Sequence, residues 1–255
     1  MTRLPDAFRR VPLAHRGLHD MDDARPENSR ASVCAAVAAG YGIEIDLQPS
    51  RDGRPMVFHD YDLGRLTPEH GPLRERDAAE LAKIPLAGRN EGIPDLPEIL
   101  ELVAGRVPLL VELKDQHGQM GDTDGTLEHA TARALDGYGG PVAVMSFNPS
   151  MVARMATLAP DVPRGIVTCD FSVAHWPQLL PETRTRLRGI PDYEACGAQF
   201  VSHQFQDLQT PRIAALHAGG AMILSWTVRS AADERVAREV ADNITFEGYL
   251  PEIPA

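Results

Sequence analysis

From residue 107 to residue 246 the chain repeats one unit, a short apolar run followed by a polar break and a stretch with helical spacing. The strand-like runs are 107–113, 141–147, 164–168, 198–202, 221–228 and 243–246, and the helical stretches between them are 126–138, 149–159, 177–189, 210–218 and 231–240. Neighbouring parallel strands need a crossover long enough to hold a helix, so this alternation predicts a parallel sheet covered by helices. At 255 residues the chain has the length of one α/β barrel, which typically takes about 250.

The first hundred residues fit the same plan with one break. Residues 11–14 read as a strand delivering His15, Arg16 and Gly17 to its C-terminal end. A polar loop then leads into an alanine-rich helix that Asn28 or Ser29 can cap and Gly40 can end. The strand at 42–47 is followed at once by an Asp52-Gly53 turn and a second apolar run reaching His59, which leaves no room for a crossover helix and predicts a hairpin. That makes nine strand candidates for a barrel of eight, so one member of the hairpin should lie outside the wall. Residues 60–94, polar and proline-containing with a helical patch at 77–84, are too long for an ordinary loop and read as an inserted subdomain or lid; a helix at 96–103 follows. The expected fold is a single-domain TIM-type (β/α)8 barrel spanning 1–255, with a small insertion after the strand ending at His59.

In a strand, residues two apart point the same way, so Glu44 and Asp46 project together while Ile43, Ile45 and Leu47 fill the opposite face. Adjacent carboxylates repel unless a cation sits between them, and calcium, magnesium and manganese take such oxygen ligands. Active sites of barrels form at the C-terminal ends of the strands. His15, Glu44, Asp46, Glu112, Lys114 and Trp226 all fall there, giving three carboxylates for one hard divalent ion. A glycosidase also uses paired carboxylates, but Glu44 and Asp46 on one strand are too close to flank a glycosidic bond.

In identity, order and spacing, His15-Arg16-Gly17, Glu27-Asn28-Ser29, Glu44-Ile45-Asp46, Asp52-Gly53 with His59-Asp60, Glu112-Leu113-Lys114 and Trp226-Thr227-Val228 resemble the glycerophosphodiester phosphodiesterase family. Arg65-Leu66-Thr67 is similar to part of the family's insertion. The resemblance implies Glu44, Asp46 and Glu112 as ligands of one divalent cation, calcium or magnesium with manganese also suitable. It implies His15 and His59 as the general acid and base pair, Arg16 and Lys114 as phosphate-holding groups, and Asn28 as a polar neighbour of metal and phosphate. Trp226 and Phe147 are then candidates to stack on the glycerol or the head group. The reaction would be hydrolysis of a small anionic glycerophosphodiester to an alcohol and glycerol 3-phosphate, with a glycerol hydroxyl as the first attacking oxygen. The alternatives are a lysophospholipase D-type hydrolase on lipid substrates and a non-catalytic binder of metal and phosphodiester. The resemblance breaks at Phe246, where the family often has Asp, so the surroundings of the substrate's far end should depart from the family there.

A net charge of -11, from 36 acidic against 25 basic residues, argues against nucleic acid or an anionic membrane as partner. No leader-like or membrane-length apolar run is present, so a cytoplasmic location without a stable membrane anchor is expected. Cys34, Cys169 and Cys196 lack metal-finger spacing and read as reduced, buried small residues. His203 stands at a strand end but reads, like the chain's surface histidines, as a bystander, and Glu27 reads as helix-dipole support. The arginine-rich stretch 184–188 reads as a solvated face.

Overall fold

A computed structural model describes residues 4–254 and closes the alternating strands into a ring. The strands are β1 (Leu13–Ala14), β2 (Gly42–Pro49), β3 (Pro55–Val57), β4 (Leu109–Leu113), β5 (Val142–Ser146), β6 (Arg164–Thr168), β7 (Phe200–Gln204), β8 (Met222–Val228) and β9 (Asn243–Phe246). The helices are α1 (Ala7–Arg10), α2 (Arg30–Ala39), α3 (Ala78–Leu81), α4 (Leu96–Val103), α5 (Thr126–Leu135), α6 (Pro149–Leu158), α7 (Pro181–Arg188), α8 (Pro211–Ala218) and α9 (Ala231–Ala237). β1 pairs in parallel with both β2 and β9, which closes the wall. β4 pairs in parallel with β2 from Ile43 opposite Leu109 to Leu47 opposite Leu113. β3 instead pairs antiparallel with the far end of β2, Leu47 opposite Val57 and Pro49 opposite Pro55. β3 is therefore the hairpin member outside the wall, and eight parallel strands form the barrel.

Alternation along each strand separates two cores. Ile43, Ile45 and Leu47 face the helices together with their partners in the register, Leu109, Val111 and Leu113. The inward set, Leu13, Leu110, Ala143, Met145, Val167, Phe200, Met222 and Leu224, fills the barrel, and Leu4 and Phe8 join it from the N-terminal segment. Burying a side chain such as Phe8 contributes roughly 1.5–3 kcal/mol. Asn243 Nδ2 ties that segment down by donating to the carbonyls of Phe8 and Val11 at 2.7 and 2.6 Å. Gly165 is required where Phe200 crosses the barrel, since a Cβ there would stand 2.3 Å from the ring.

The helices obey local rules. α4 buries Leu96, Ile99, Leu100 and Val103, one face at helical spacing, and Asp95 and Glu98 form a capping box at its start. For α2 the cap is Ser29, whose hydroxyl accepts from the Ser32 amide, and Gly40 at φ 79° ends it. Asn28 is thereby left for another role.

Residues 60–94 carry a core of their own, in which Leu63, Leu66, Leu73, Leu81, Ile84, Leu86 and Ile93 pack with Met56 and Phe58. Cys169 and Cys196 are buried free thiols, but Cys34 is exposed on α2, against the expectation that all three are interior. Among the described residues no helix is long and apolar enough to cross a membrane.

Candidate active site

β2 and β4 lie side by side with Asp46 opposite Glu112, so their inward carboxylates meet at the mouth of the barrel. One oxygen each from Glu44, Asp46 and Glu112 lies within 4.8 Å of the others, and all three residues are buried. Lys114 Nζ stands 2.7 Å from both Asp46 Oδ1 and Glu112 Oε1. Arg16 Nε forms an ion pair with Asp46 Oδ2 at 3.3 Å, and the Arg16 backbone amide donates to Glu44 Oε2 at 3.1 Å. Asn28 clasps Asp46 twice, donating from Nδ2 to Oδ2 at 2.9 Å and accepting from the Asp46 amide at 3.2 Å.

The electrostatics are unequal among these groups. Burial, and then the charges of Asp46 and Glu112, push the Glu44 carboxyl well above its usual range. Burial would raise Asp46 as well, but the Lys114 ammonium, with His59 and Arg16, holds it well below the carboxylate range. Lys114, opposed by burial, is held above its ordinary value by Asp46 and Glu112. Glu44 Oε1 is buried without a hydrogen-bond partner. An orphaned carboxylate oxygen beside two more buried carboxylates is a donor set suited to a hard divalent cation.

Backbone strain marks the same spot. Arg16 and Asn28 both adopt left-handed φ, 56° and 55°, at a cost of about 1–3 kcal/mol each. Their conformations are tied together, since the Asn28 amide donates to the Arg16 carbonyl at 2.9 Å and Ser32 Oγ donates to that same carbonyl at 3.1 Å. Between the elements Gly17, at φ 77°, leaves no space for a Cβ, which would stand 2.5 Å from Ser32 Oγ.

The histidines share one arrangement. His15 Nδ1 is 2.5 Å from Glu247 Oε2, and His59 Nδ1 is 2.6 Å from Asp60 Oδ1. A carboxylate at Nδ1 fixes the proton there and leaves Nε2 as the free atom. Burial lowers the His15 pKa in spite of its bond to Glu247. Glu247, which burial alone would raise, is held far below its usual range by His15, His19 and Arg229. Asp60 is likewise held low, against burial, by His59 and Arg65.

A cleft of ≈ 1140 Å³ opens beside this centre, lined by His59, Glu112, Lys114, Phe147, Trp176 and Trp226 among others. Arg16, Asn28 and Glu44 belong to the carboxylate centre through their contacts with Asp46 and Arg16, while His15 is the neighbour of Arg16 in the chain. Phe147 packs on Trp226 and Trp176 with ring centroids 5.5 and 4.9 Å apart, and Trp226 Nε1 donates to the Ser202 carbonyl at 3.0 Å.

Sequence reasoning gave no role to four residues here. Glu247 lies on the inward parity of β9, two residues after Thr245, so strand alternation carries its signal. Asp60 adjoins a histidine, which is the one hint of its bond. Trp176 and Arg65 come from irregular segments where no period applies. Three expectations need correction. Phe246 does not face the site, because it packs outside the barrel against Tyr41 and Tyr249 at 4.8 and 5.8 Å. His203, read as a bystander, is buried with Thr168 Oγ1 2.6 Å from Nδ1 and the Asp207 carbonyl 3.0 Å from Nε2. Glu27 serves more than a helix dipole, for it accepts from Arg16 Nη1 at 2.7 Å. The arginines of α7 are engaged rather than simply solvated, Arg184 with the Trp176 carbonyl at 3.3 Å and Arg188 with the Asp170 carbonyl at 2.7 Å.

The sequence profile of the glycerophosphoryl diester phosphodiesterase family matches residues 15–242. A glycerophosphodiester phosphodiesterase of Bacillus altitudinis is 28% identical over 228 residues, covering 86% of each chain. A phosphodiesterase of Oleispira antarctica, solved in complex with the product sn-glycerol-3-phosphate, shares the fold with a TM-score of 0.76 at 24% identity over 94% of both chains. The glycerophosphodiester phosphodiesterase of Thermotoga maritima shares it with a TM-score of 0.70 at 18% identity, over 92% of this chain and 94% of that one.

Proposed function

The chain belongs to the glycerophosphoryl diester phosphodiesterase family, and from that premise we propose that it hydrolyses glycerophosphodiesters to an alcohol and glycerol 3-phosphate with one divalent cation and two histidines. The observation that carries this reading is the buried triad Glu44, Asp46 and Glu112 with an orphaned Glu44 oxygen, bordered by two imidazoles that each keep Nε2 free.

Glu44, Asp46 and Glu112 hold the cation, calcium or magnesium by the hardness of the ligands. When bound, it neutralises phosphoryl oxygens and polarises the attacking oxygen. Arg16 and Lys114 add positive charge for the phosphate, and Asn28 keeps Asp46 aligned through its two hydrogen bonds. A phosphodiester needs a proton taken from the incoming oxygen and one given to the departing alkoxide. His15 and His59 supply these steps at Nε2, with Glu247 and Asp60 steadying the imidazolium that forms. Phe147 and Trp226 line the side of the cleft that receives the organic part of the substrate.

The test is activity on a panel of glycerophosphodiesters after exhaustive chelation and after return of calcium or magnesium. Loss and recovery are expected, and full activity in the chelated protein overturns the metal reading. A second reading, a lysophospholipid substrate, draws on Val173 and Leu180, both exposed apolar residues in the segment that carries Trp176. Faster turnover of lysophosphatidylcholine than of glycerophosphocholine would favour it.

A further inference from the structure

We propose that Arg65, carried by the inserted segment, is a positioning residue that holds His59 and Arg16 in register through their carboxylate partners. Arg65 closes the short 3-10 turn Leu63–Arg65, which Asp62 caps by accepting from the Gly64 amide at 2.8 Å. Leu63 and Leu66 on either side are buried in the core of the insertion, so the backbone of this turn is anchored. The guanidinium then engages two carboxylates with all three nitrogens. Nε and Nη2 donate to Asp60 Oδ2 and Oδ1 at 2.5 and 3.0 Å, and Nη1 and Nη2 donate to Glu27 Oε2 and Oε1 at 2.8 and 2.7 Å.

Each carboxylate has a second partner at the active site. Asp60 Oδ1 meets His59 Nδ1 at 2.6 Å, and Glu27 Oε1 accepts from Arg16 Nη1 at 2.7 Å. The resulting chain, His59 to Asp60 to Arg65 to Glu27 to Arg16, joins the end of the hairpin to the end of β1 without passing through the metal ligands. Only a planar fork can serve both carboxylates in this way, because an ammonium acts as a point charge. Without the guanidinium, Glu27 and Asp60 lose the cation between them. Asp60 then loses the two donors that orient its Oδ1 toward His59 Nδ1 and is free to rotate away from the ring, and Glu27 bears on Arg16 alone, drawing it from Asp46.

The insertion is on this account a brace. Arg65 has a side chain 46% exposed, and ion pairs this open contribute little to folding stability. Its loss should therefore register in the alignment of the site and leave the fold nearly unchanged.

The experiment compares Arg65→Ala and Arg65→Lys with the parent protein, full chain, supplied with magnesium or calcium. Its kinetic arm rests on the phosphodiesterase reading; its spectroscopic arm does not. In the substrate-free protein, ¹⁵N shifts of the His59 ring, assigned by difference from His59→Gln, should report one Nδ1-protonated tautomer in the parent and a tautomer mixture in Arg65→Ala. On a glycerophosphodiester, Arg65→Ala should lower kcat by about 10- to 100-fold, the usual scale for losing a supporting partner, and raise KM through Arg16. Low millimolar guanidinium should restore part of the rate in Arg65→Ala, and Arg65→Lys should recover little. An unchanged tautomer in Arg65→Ala overturns the proposal, as does a rate loss that guanidinium does not rescue and that tracks a lowered thermal midpoint. A parent protein that turns over no diester sinks the phosphodiesterase reading, and the tautomer comparison still decides the brace.

Discussion

On one side of the barrel mouth β1, β2 and β4 lead into charge, with His15, Arg16, Glu44, Asp46, Glu112 and Lys114; on the other, β5, β6 and β8 lead to Phe147, Cys169 and Trp226, joined by Trp176. The charged side is over-determined. Asp46 alone is engaged by Lys114, Arg16 and Asn28, and each candidate histidine has its own carboxylate. The aromatic side is held by ring packing, and burial pushes the Cys169 thiol up to about 12, so it behaves as an apolar wall. Directional bonds fix atoms to the tolerance that proton transfer needs. Packed rings define a shape, which suits selection of the organic group that leaves.

This division can be broken by substitution on either side. His59→Ala should cost most, lowering kcat by about 10²- to 10⁴-fold, the range for a general acid or base, with the thermal midpoint retained; a loss below about tenfold would remove His59 from the chemistry. Next comes the metal. Magnesium or calcium at about a hundredfold over its Kd should stabilise the protein by about 2.7 kcal/mol, read as a raised midpoint in thermal unfolding. Glu112→Ala should abolish that rise, and equal rises in both proteins would move the cation elsewhere. Substitution on the aromatic side should act on selection. Trp226→Ala or Phe147→Ala is expected to raise KM about 3- to 10-fold for diesters with bulky head groups while kcat changes little. A larger effect on kcat than on KM would place these rings in the charged side's work.

The smallest effect concerns a residue outside both sides. Burial lowers the His203 pKa below its ordinary 6.5, with Asp207 opposing, so the folded protein keeps this imidazole neutral. The unfolded chain takes up a proton as pH falls through 6.5 while the folded one resists, so the stabilisation is complete above 6.5 and declines from there down to the folded value. His15 acts with the same sign. The drop in urea midpoint from about pH 7.5 to about pH 5.5 should be smaller in His203→Gln than in the parent, and an equal drop would remove His203 from the acid sensitivity.

What the sequence made legible follows physical period. The strands at Arg164–Thr168 and Asn243–Phe246 and the helix at Leu96–Val103 fall where apolar spacing put them. Parity within each strand, with the rule that barrel sites form at the C-terminal strand ends, put Glu44, Asp46, Glu112 and Lys114 at one mouth, where the structure has them together. The same parity exposes Glu247, which the departure at its outward neighbour Phe246 masks. Trp176 and the contacts of Arg65 were illegible for a different reason. Both lie in segments without a repeat, and their places depend on long-range contacts, Trp176 with Phe147 and Arg65 with Glu27. Capping left Asn28 and Ser29 equivalent in sequence, and the structure separates them by giving the cap to Ser29 and the contact with Asp46 to Asn28.

β3 leaves the wall after pairing with three residues of β2, and β4 takes its place beside β2. Closure of the eight-stranded ring is thus complete without any contribution from residues 60–94. For an engineer, that makes the connection between β3 and α4 a port, a length of chain whose size and composition can be changed without altering strand number or tilt. The port has a fixed collar, because Asp60 and Arg65 stand at its beginning. Grafts that start beyond Thr67 and return before Asp95, with an apolar underside to cover Met56 and Phe58, should keep the barrel and its site while giving the mouth a different neighbour.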